Sequence, residues 1–144
     1  MAASARTTET TAPSAPRSAA FSAVTGLAAL AVLLQGLWAG LFLRESGGYK
    51  STWVEVHSRG AEVALVLALI GTIIAFLRLR SRRDLVVGSV VFTVLIAFEA
   101  FLGGKVSDAH SIAAQAVHIP LALALMGPAV WLPLRASLRR TTAR

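Results

Sequence analysis

The 144-residue chain contains no cysteine. Structural disulfides, thiolate metal sites and catalysis by a thiol are therefore excluded. Acidic residues are also few, seven against fourteen lysines and arginines, which gives a formal net charge of +7 at pH 7. A net positive charge of this size is compatible with nucleic-acid binding, so the placement of the basic residues along the chain has to be considered.

Charge is missing altogether from four stretches. Residues 21–43 and 111–134 are uncharged runs of 23 and 24 residues, and residues 63–77 and 85–98 are uncharged runs of 15 and 14. A hydrocarbon core of ~30 Å needs ~20 apolar residues per helix, so the two shorter runs must include polar residues at one end. With 56% hydrophobic residues and a mean hydropathy of +0.69, the chain is too apolar for a soluble domain of this length.

These runs predict an all-α fold, a four-helix transmembrane bundle within residues 21–137. Helices are expected because backbone polar groups in hydrocarbon must pair within the segment. The predicted spans are about 21–43, 55–78, 84–104 and 109–134.

The two ends of the chain are predicted to lie outside the bundle. Residues 1–20, rich in Ala, Ser, Thr and Pro without apolar periodicity, are predicted to form a disordered tail. Residues 138–144 are predicted to form a short basic tail. The first span also invites interpretation as a signal peptide, but its 23-residue core is longer than the ~7–15 residues of such a core and ends in Leu-Phe-Leu-Arg. A retained span is therefore preferred.

Basic residues are distributed unevenly between the two sides of the predicted bundle. Ten precede span one, link spans two and three or follow span four, whereas four lie on the other side. Short loops rich in Lys and Arg stay cytoplasmic, so both termini are predicted to be cytoplasmic in a multi-pass protein of the cell membrane. The basic clusters are expected to attract anionic lipid headgroups, and no nucleic-acid partner is predicted.

Polar residues recur at one depth, in the outer third of each predicted span. Counted from the cytoplasmic boundary, Glu62, Glu99 and His118 lie ~22–25 Å along their helices. On the same count Gln35 lies at most ~27 Å, and His57 ~31 Å, along theirs. Taken singly, such residues also fit helix packing or contact with headgroups. Because ionisable residues in a membrane usually face the bundle interior or one another, their coincidence across four spans favours a common site.

His57 and His118 are the candidate metal ligands. Two neutral imidazoles on different helices at similar depth suit axial ligation of a haem iron, with the second ring nitrogen of each donating to a partner. Gly60 and Ala64, on the face of His57, either leave room for a flat ligand or pack against another helix. Arg59 is the nearest basic residue for a haem propionate, although it lies ~200° round the helix from His57 at ~100° per residue.

The partners of the two imidazoles are expected among Gln115, Glu62 and Glu99. The same two glutamates also allow interpretation as proton sites of a small transporter, which four spans without repeats or broken helices disfavour. Gly36 and Gly40 form a GxxxG pair in span one and are predicted to pack against another helix.

Two other chemistries are weaker alternatives. Without cysteine, a zinc site needs His110 and a carboxylate in addition to the two histidines. A Ser-His-Asp triad of Ser111, His110 and Asp108 is disfavoured, because three neighbours on one turn do not reach triad geometry easily. His110 is expected to be a loop or helix-start residue.

The whole pattern resembles one four-helix half of heme A synthase, and in kind it is closer still to small four-span membrane proteins of actinobacteria. The resemblance covers about residues 21–137 and is carried by His57, the basic link, the segment Glu99-Ala-Phe-Leu-Gly-Gly104 and His118. It implies paired outer-side ligands at His57 and His118. Glu55 departs from the family pattern, since it precedes His57 by two residues where the family's glutamate precedes by three. The cysteine pair and the second half are absent, so synthase activity is not predicted.

The leading functional prediction is an integral membrane protein that binds one haem b near the outer face through His57 and His118. Its role would be electron transfer, haem handling or service to a respiratory complex, and an enzymatic activity is left open without being favoured. The alternative is a haem-free accessory subunit of a membrane complex, whose polar residues only fix helix packing. By analogy with the two-half synthase, the partners are a second copy of the chain or other membrane subunits.

Overall fold

The computed structural model describes residues 19–44 and 52–138, and of residues 42–44 the backbone alone. Within this part of the chain four α-helices follow one another: α1 (Ala19–Arg44), α2 (Thr52–Arg78), α3 (Arg83–Ser107) and α4 (Ile112–Ser137). All four are long and apolar enough to cross a membrane. The predicted all-α fold is thereby confirmed, with four helices that could each span a membrane. The predictions for residues 1–18, 45–51 and 139–144 fall outside the described residues.

The helix ends lie within three residues of the predicted spans. α1 begins at Ala19, inside the predicted tail, α2 begins at Thr52, not at 55, and α4 ends at Ser137, not at 134. α3 runs on to Ser107, beyond the predicted end at 104, and α4 begins at Ile112, not at 109. The later start of α4 follows from Ser111, whose hydroxyl accepts a hydrogen bond from the Ala114 N–H at 3.2 Å and caps the helix. His110 precedes this cap with a φ of 52°, so its expected place outside the helix is confirmed.

α4 contains three internal prolines, Pro120, Pro128 and Pro133. Each proline lacks the N–H that would bond the carbonyl four residues earlier and can bend the helix at that point. The helix nevertheless continues through all three, from Ile112 to Ser137.

Each helix packs against two neighbours, in the cyclic order α1, α2, α3, α4. α2 and α4 therefore face each other across the centre of the bundle. Large apolar side chains such as Leu37, Leu77, Val87 and Leu123 are exposed on the outside, as expected of a surface that faces lipid tails. The interior combines large buried side chains, such as Phe21, Leu85 and Phe92, with small residues on α2, which allow the close helix approach usual in membrane bundles.

The buried face of α2 consists entirely of small residues: Gly60, Ala64, Ala68, Gly71 and Ala75. α1 fills two of these positions. A β-carbon added at Gly60 would collide with the side chains of Trp38 and Gln35, and one added at Gly71 would lie 3.1 Å from Thr25 Cγ2. The helix-packing interpretation of this face is therefore confirmed at both of these glycines.

The GxxxG pair of α1 has a different environment from the one predicted. A β-carbon added at Gly36 or Gly40 would meet nothing within 4 Å in the described part of the chain. Within the described residues neither glycine contacts another helix, because α1 turns Gln35 and Trp38 toward α2 and leaves both glycines exposed.

Polar contacts join α2 to α3 in the middle of the bundle. The Thr72 hydroxyl donates to the Ser89 carbonyl at 3.0 Å and lies 2.9 Å from the Thr93 hydroxyl. Interhelical hydrogen bonds of this kind average ~0.6 kcal/mol in membrane bundles, so they align the two helices more than they stabilise them.

One carboxylate organises the end of the bundle where the arginines gather, called here the arginine end (residues 78–84 and 135). Asp84 accepts hydrogen bonds from Arg82 at 3.1 and 3.2 Å and from Arg135 Nε at 2.9 Å. Arg82 also donates to the Arg135 carbonyl at 3.0 Å. The link between α2 and α3 is thereby fastened to the last turn of α4.

Candidate functional site

At the opposite end of the bundle, one polar residue from each helix contributes to a single group: Gln35, His57, Glu99 and His118, called here the polar cluster. The rings of His57 and His118 have their centroids 6.4 Å apart, with an angle of 81° between the planes. His118 Nδ1 lies 2.5 Å from a carboxylate oxygen of Glu99, and His57 Nδ1 lies 3.2 Å from the main-chain carbonyl oxygen of Gln35. The predicted gathering of polar residues is therefore confirmed for these four.

Glu62 and Arg59 lie away from this group. The Arg59 guanidinium sits between Glu55 at 2.9 Å and Glu62 at 3.1 Å, with all three side chains more than 60% exposed. Glu62 thus faces outward with Arg59 and is not beside either histidine. Exposed pairs of this kind contribute little to stability.

Glu99 is the buried carboxylate of the cluster, with 7% of the residue exposed. Its contact with His118 has the distance of an ion pair, but neither oxygen nor His118 Nδ1 meets hydrogen-bond geometry. A carboxylate buried this deeply is costly unless it has a partner, and His118 provides one.

Gln35 binds α1 to α2 at the level of His57. With its amide oriented so that both ends are satisfied, an assignment made from the hydrogen-bond network, its nitrogen donates to the His57 carbonyl at 2.8 Å and its oxygen accepts from the Ala61 N–H at 3.2 Å. The same side-chain nitrogen lies 3.1 Å from His57 Nδ1. His57 Nδ1 therefore has two neighbours on Gln35, the side-chain N–H donor and the main-chain carbonyl oxygen. When Nδ1 donates to that carbonyl, Nε2 carries the lone pair that a metal requires.

His118 lies against α3 at Gly103. A β-carbon added at Gly103 would be 3.6 Å from His118 Cε1 and 4.0 Å from Nε2. Glycine therefore allows α3 to approach the Nε2 side of this ring, while Glu99, one turn earlier, contacts the Nδ1 side. Gly103 had no assigned role in the sequence, although it lies within the segment that carries the family resemblance.

The remaining predicted site residues have other surroundings. Gly60 is closely covered by Trp38 and Gln35, and Ala64 is buried with 1% exposure. Gln115 is exposed on α4, so Glu99 is the residue that accompanies His118. Trp38 was not anticipated at all, since nothing in its sequence context distinguishes it from an interfacial tryptophan.

The spacing of the two imidazoles can be compared with that of axial haem ligands. Metal–imidazole bonds are ~2.0–2.1 Å, so two imidazoles that would hold one metal must lie close together. The centroids of the His57 and His118 rings are 6.4 Å apart, and the rings meet edge to face at 81°. Within the described residues no three His, Cys, Asp or Glu side chains form a metal-ion group, whereas a porphyrin supplies its own equatorial nitrogens and takes its axial ligands from the protein. Two imidazoles with polar neighbours at Nδ1 are a donor set that haem iron accepts.

Comparison with known proteins adds nothing to this geometry: no protein-family model, curated protein or solved structure matches the chain.

Proposed function

We propose that this protein binds one haem b between α2 and α4, with His57 and His118 as axial ligands. The observation that carries the proposal is the 6.4 Å separation of the two rings, which meet edge to face and belong to opposite helices of the bundle. When bound, such a haem would exchange single electrons through its iron.

The residues around the rings have positioning roles. Glu99 holds the Nδ1 side of His118, and the Gln35 carbonyl holds the Nδ1 side of His57. Contacts of this kind fix the tautomer and the orientation of a ligating ring and raise its basicity. With Nδ1 held in this way, each imidazole would keep Nε2 for the iron.

The proposed setting is the cell membrane, with both termini cytoplasmic and the polar cluster near the outer face. The proposal rests on the ten-to-four asymmetry of basic residues in the sequence. The role is electron transfer, haem handling or service to a respiratory complex, with no catalytic step assigned to the chain.

The proposal is tested by the absorption spectrum and haem content of purified protein from cells supplied with ample haem. Wild type is expected to hold about one haem per chain with a six-coordinate, low-spin spectrum. His57→Ala and His118→Ala each remove one axial ligand, so each is expected to give a high-spin spectrum or an empty protein. His110→Ala is the matched control and is expected to match wild type, because His110 lies outside α4 with a φ of 52°. Haem-free wild type, or loss of haem only in His110→Ala, refutes the assignment.

A second candidate is a haem-free accessory subunit, and one observation favours it. The small side of α2 at Gly60 is already covered by Trp38 and Gln35, which is how a packing face would be used. On this alternative the polar cluster only joins four helices. Wild type would then lack haem, and His118→Ala would lower the free energy of unfolding of the haem-free protein, because Glu99 would lose its partner.

A further inference from the structure

A groove lies between the end of α2 and the start of α3, at the arginine end and away from the polar cluster. It is lined by Phe76, Val86 and Val87 together with Arg80 and Arg83. Its volume is about 290 Å³, roughly ten times the ~30 Å³ that one water occupies in the liquid. The space therefore suits a segment of a larger apolar molecule.

The arginines of this end fall into two groups. Arg82 and Arg135 are bound to Asp84. Arg80 and Arg83, which line the groove, make no ion pair with a carboxylate of the described residues. Arg80 Nε donates to the Phe76 carbonyl at 2.7 Å, which holds this guanidinium against the groove wall. Two positive charges thus border an apolar groove without a described negative partner.

The apolar wall continues onto the outer surface of the bundle. Phe76 is 49% exposed and Val87 is 61% exposed, and both lie on helices long and apolar enough to span a membrane. A ligand that fits must combine an apolar chain with a negatively charged head. Free phosphate would leave the apolar lining without a role, and a neutral lipid would leave the two guanidiniums without one.

We propose that this groove binds one anionic phospholipid of the surrounding bilayer. Arg80 and Arg83 bind the phosphate, since guanidinium groups make strong charge-assisted hydrogen bonds to phosphate oxygens. An acyl chain lies against Phe76, Val86 and Val87. This goes beyond a general attraction of basic loops to an anionic surface, because it assigns one lipid to one place and leaves Arg78, Arg82 and Arg135 outside it.

The test is retention of a single lipid by delipidated, detergent-solubilised protein, measured by native mass spectrometry. Phosphatidylglycerol and phosphatidylcholine with identical acyl chains are titrated separately, so that only the headgroup differs. Wild type is expected to bind one phosphatidylglycerol at least tenfold more tightly than phosphatidylcholine. Each basic residue near an anionic lipid contributes about a fivefold factor, so Arg80→Gln with Arg83→Gln is expected to weaken phosphatidylglycerol binding roughly 30-fold.

Two matched controls separate the groove from the basic surface as a whole. Arg78→Gln removes one charge outside the groove and is expected to change affinity less than twofold, whereas Arg80→Gln alone, which removes one charge within the groove, is expected to weaken binding about fivefold. Val87→Phe fills the groove and is expected to weaken binding, whereas Val94→Phe, on an equally apolar exposed stretch of α3, is expected to leave it unchanged. All variants alter exposed side chains, and circular dichroism verifies their folding.

Equal affinity for the two lipids would overturn the proposal, as would a loss in Arg78→Gln as large as that in Arg80→Gln alone. Displacement of bound phosphatidylglycerol by millimolar inorganic phosphate would identify a phosphate site without a lipid. None of these outcomes bears on the haem proposal, because the groove and the polar cluster lie at opposite ends of the bundle.

Discussion

Asp84 illustrates how one side chain can join segments far apart in sequence. It accepts from Arg82, two residues before it, and from Arg135, 51 residues after it. Its side chain is 25% exposed, compared with 15% for Arg82 and 43% for Arg135. Removing the carboxylate would leave two guanidiniums close together without a shared counter-charge.

The first prediction concerns this carboxylate. Asp84→Asn is expected to lower the free energy of unfolding by ~1–3 kcal/mol, the cost of leaving charged donors unpaired. The effect is expected toward the lower end, because solvent screens the partly exposed Arg135. The measurement is reversible unfolding in mixed micelles. Glu55→Gln serves as the control, since its pair with Arg59 is largely exposed, and it is expected to unfold as wild type does. Equal effects of the two substitutions would contradict the role of Asp84.

At the residue scale, the sequence indicates how far along a helix a side chain lies, but not which way it points around the helix. The rise per residue placed Glu62 and Glu99 at nearly the same level, yet Glu99 is buried against His118 and Glu62 is exposed beside Arg59. The pairing of Asp84 with Arg135 was equally unpredictable from the sequence, because no local spacing indicates that Arg135 lies beside the start of α3.

At the scale of the helices, the contact between α1 and α2 depends on one missing side chain. Gly60 lets Trp38 and Gln35 lie directly on the α2 backbone. Gln35 uses this approach to reach the His57 carbonyl and the Ala61 N–H. The position of His57 is therefore coupled to the packing of α1.

The second prediction tests this contact. Gly60→Ala is expected to lower the free energy of unfolding by ~1–3 kcal/mol, because an added methyl group would overfill the interface. Gly36→Ala is the matched control: it lies on the same pair of helices but has nothing within 4 Å of the new β-carbon, so unchanged stability is expected. Trp38→Leu in the Gly60→Ala background is expected to recover part of the loss. A fully stable Gly60→Ala protein would show that the helices separate without cost.

The existence of all four helices was predictable, because uncharged runs of this length have few other stable forms in hydrocarbon. Their ends were less so. Ser111 is a helix cap whose effect depends on a single hydrogen bond to Ala114, and a hydropathy pattern does not register it. The small face of α2 was visible in the sequence, whereas the helix that fills it was not, since the GxxxG pair at Gly36 and Gly40 suggested a different contact.

At the scale of the whole molecule, the two ends of the bundle differ in charge and in chemistry. The polar cluster occupies one end, and Asp84 with its arginines occupies the other. Because short basic loops usually stay on the cytoplasmic side, this division is the basis of the predicted orientation in the membrane.

The third prediction is this orientation. A reporter fused after Arg144 is expected to be cytoplasmic, and one inserted near Gly47 is expected to be outside. Alkaline phosphatase, active only outside, and green fluorescent protein, fluorescent only inside, should give opposite signals at the two positions. A C-terminus found outside would reverse the scheme and place the polar cluster in the inner leaflet.

The three prolines of α4 have a mechanical consequence for the two imidazoles. α2 contains no proline, and Gln35 clamps its backbone at His57 and Ala61. α4 loses one bond of its backbone ladder at each proline, and Pro120 comes only two residues after His118. The ring of His57 is therefore held on a rigid helix, whereas the ring of His118 is held on a helix that bends more easily. A ligand held between the two rings would therefore be positioned mainly by α2. α4 would bend to accommodate changes in the length of the bonds between that ligand and the imidazoles.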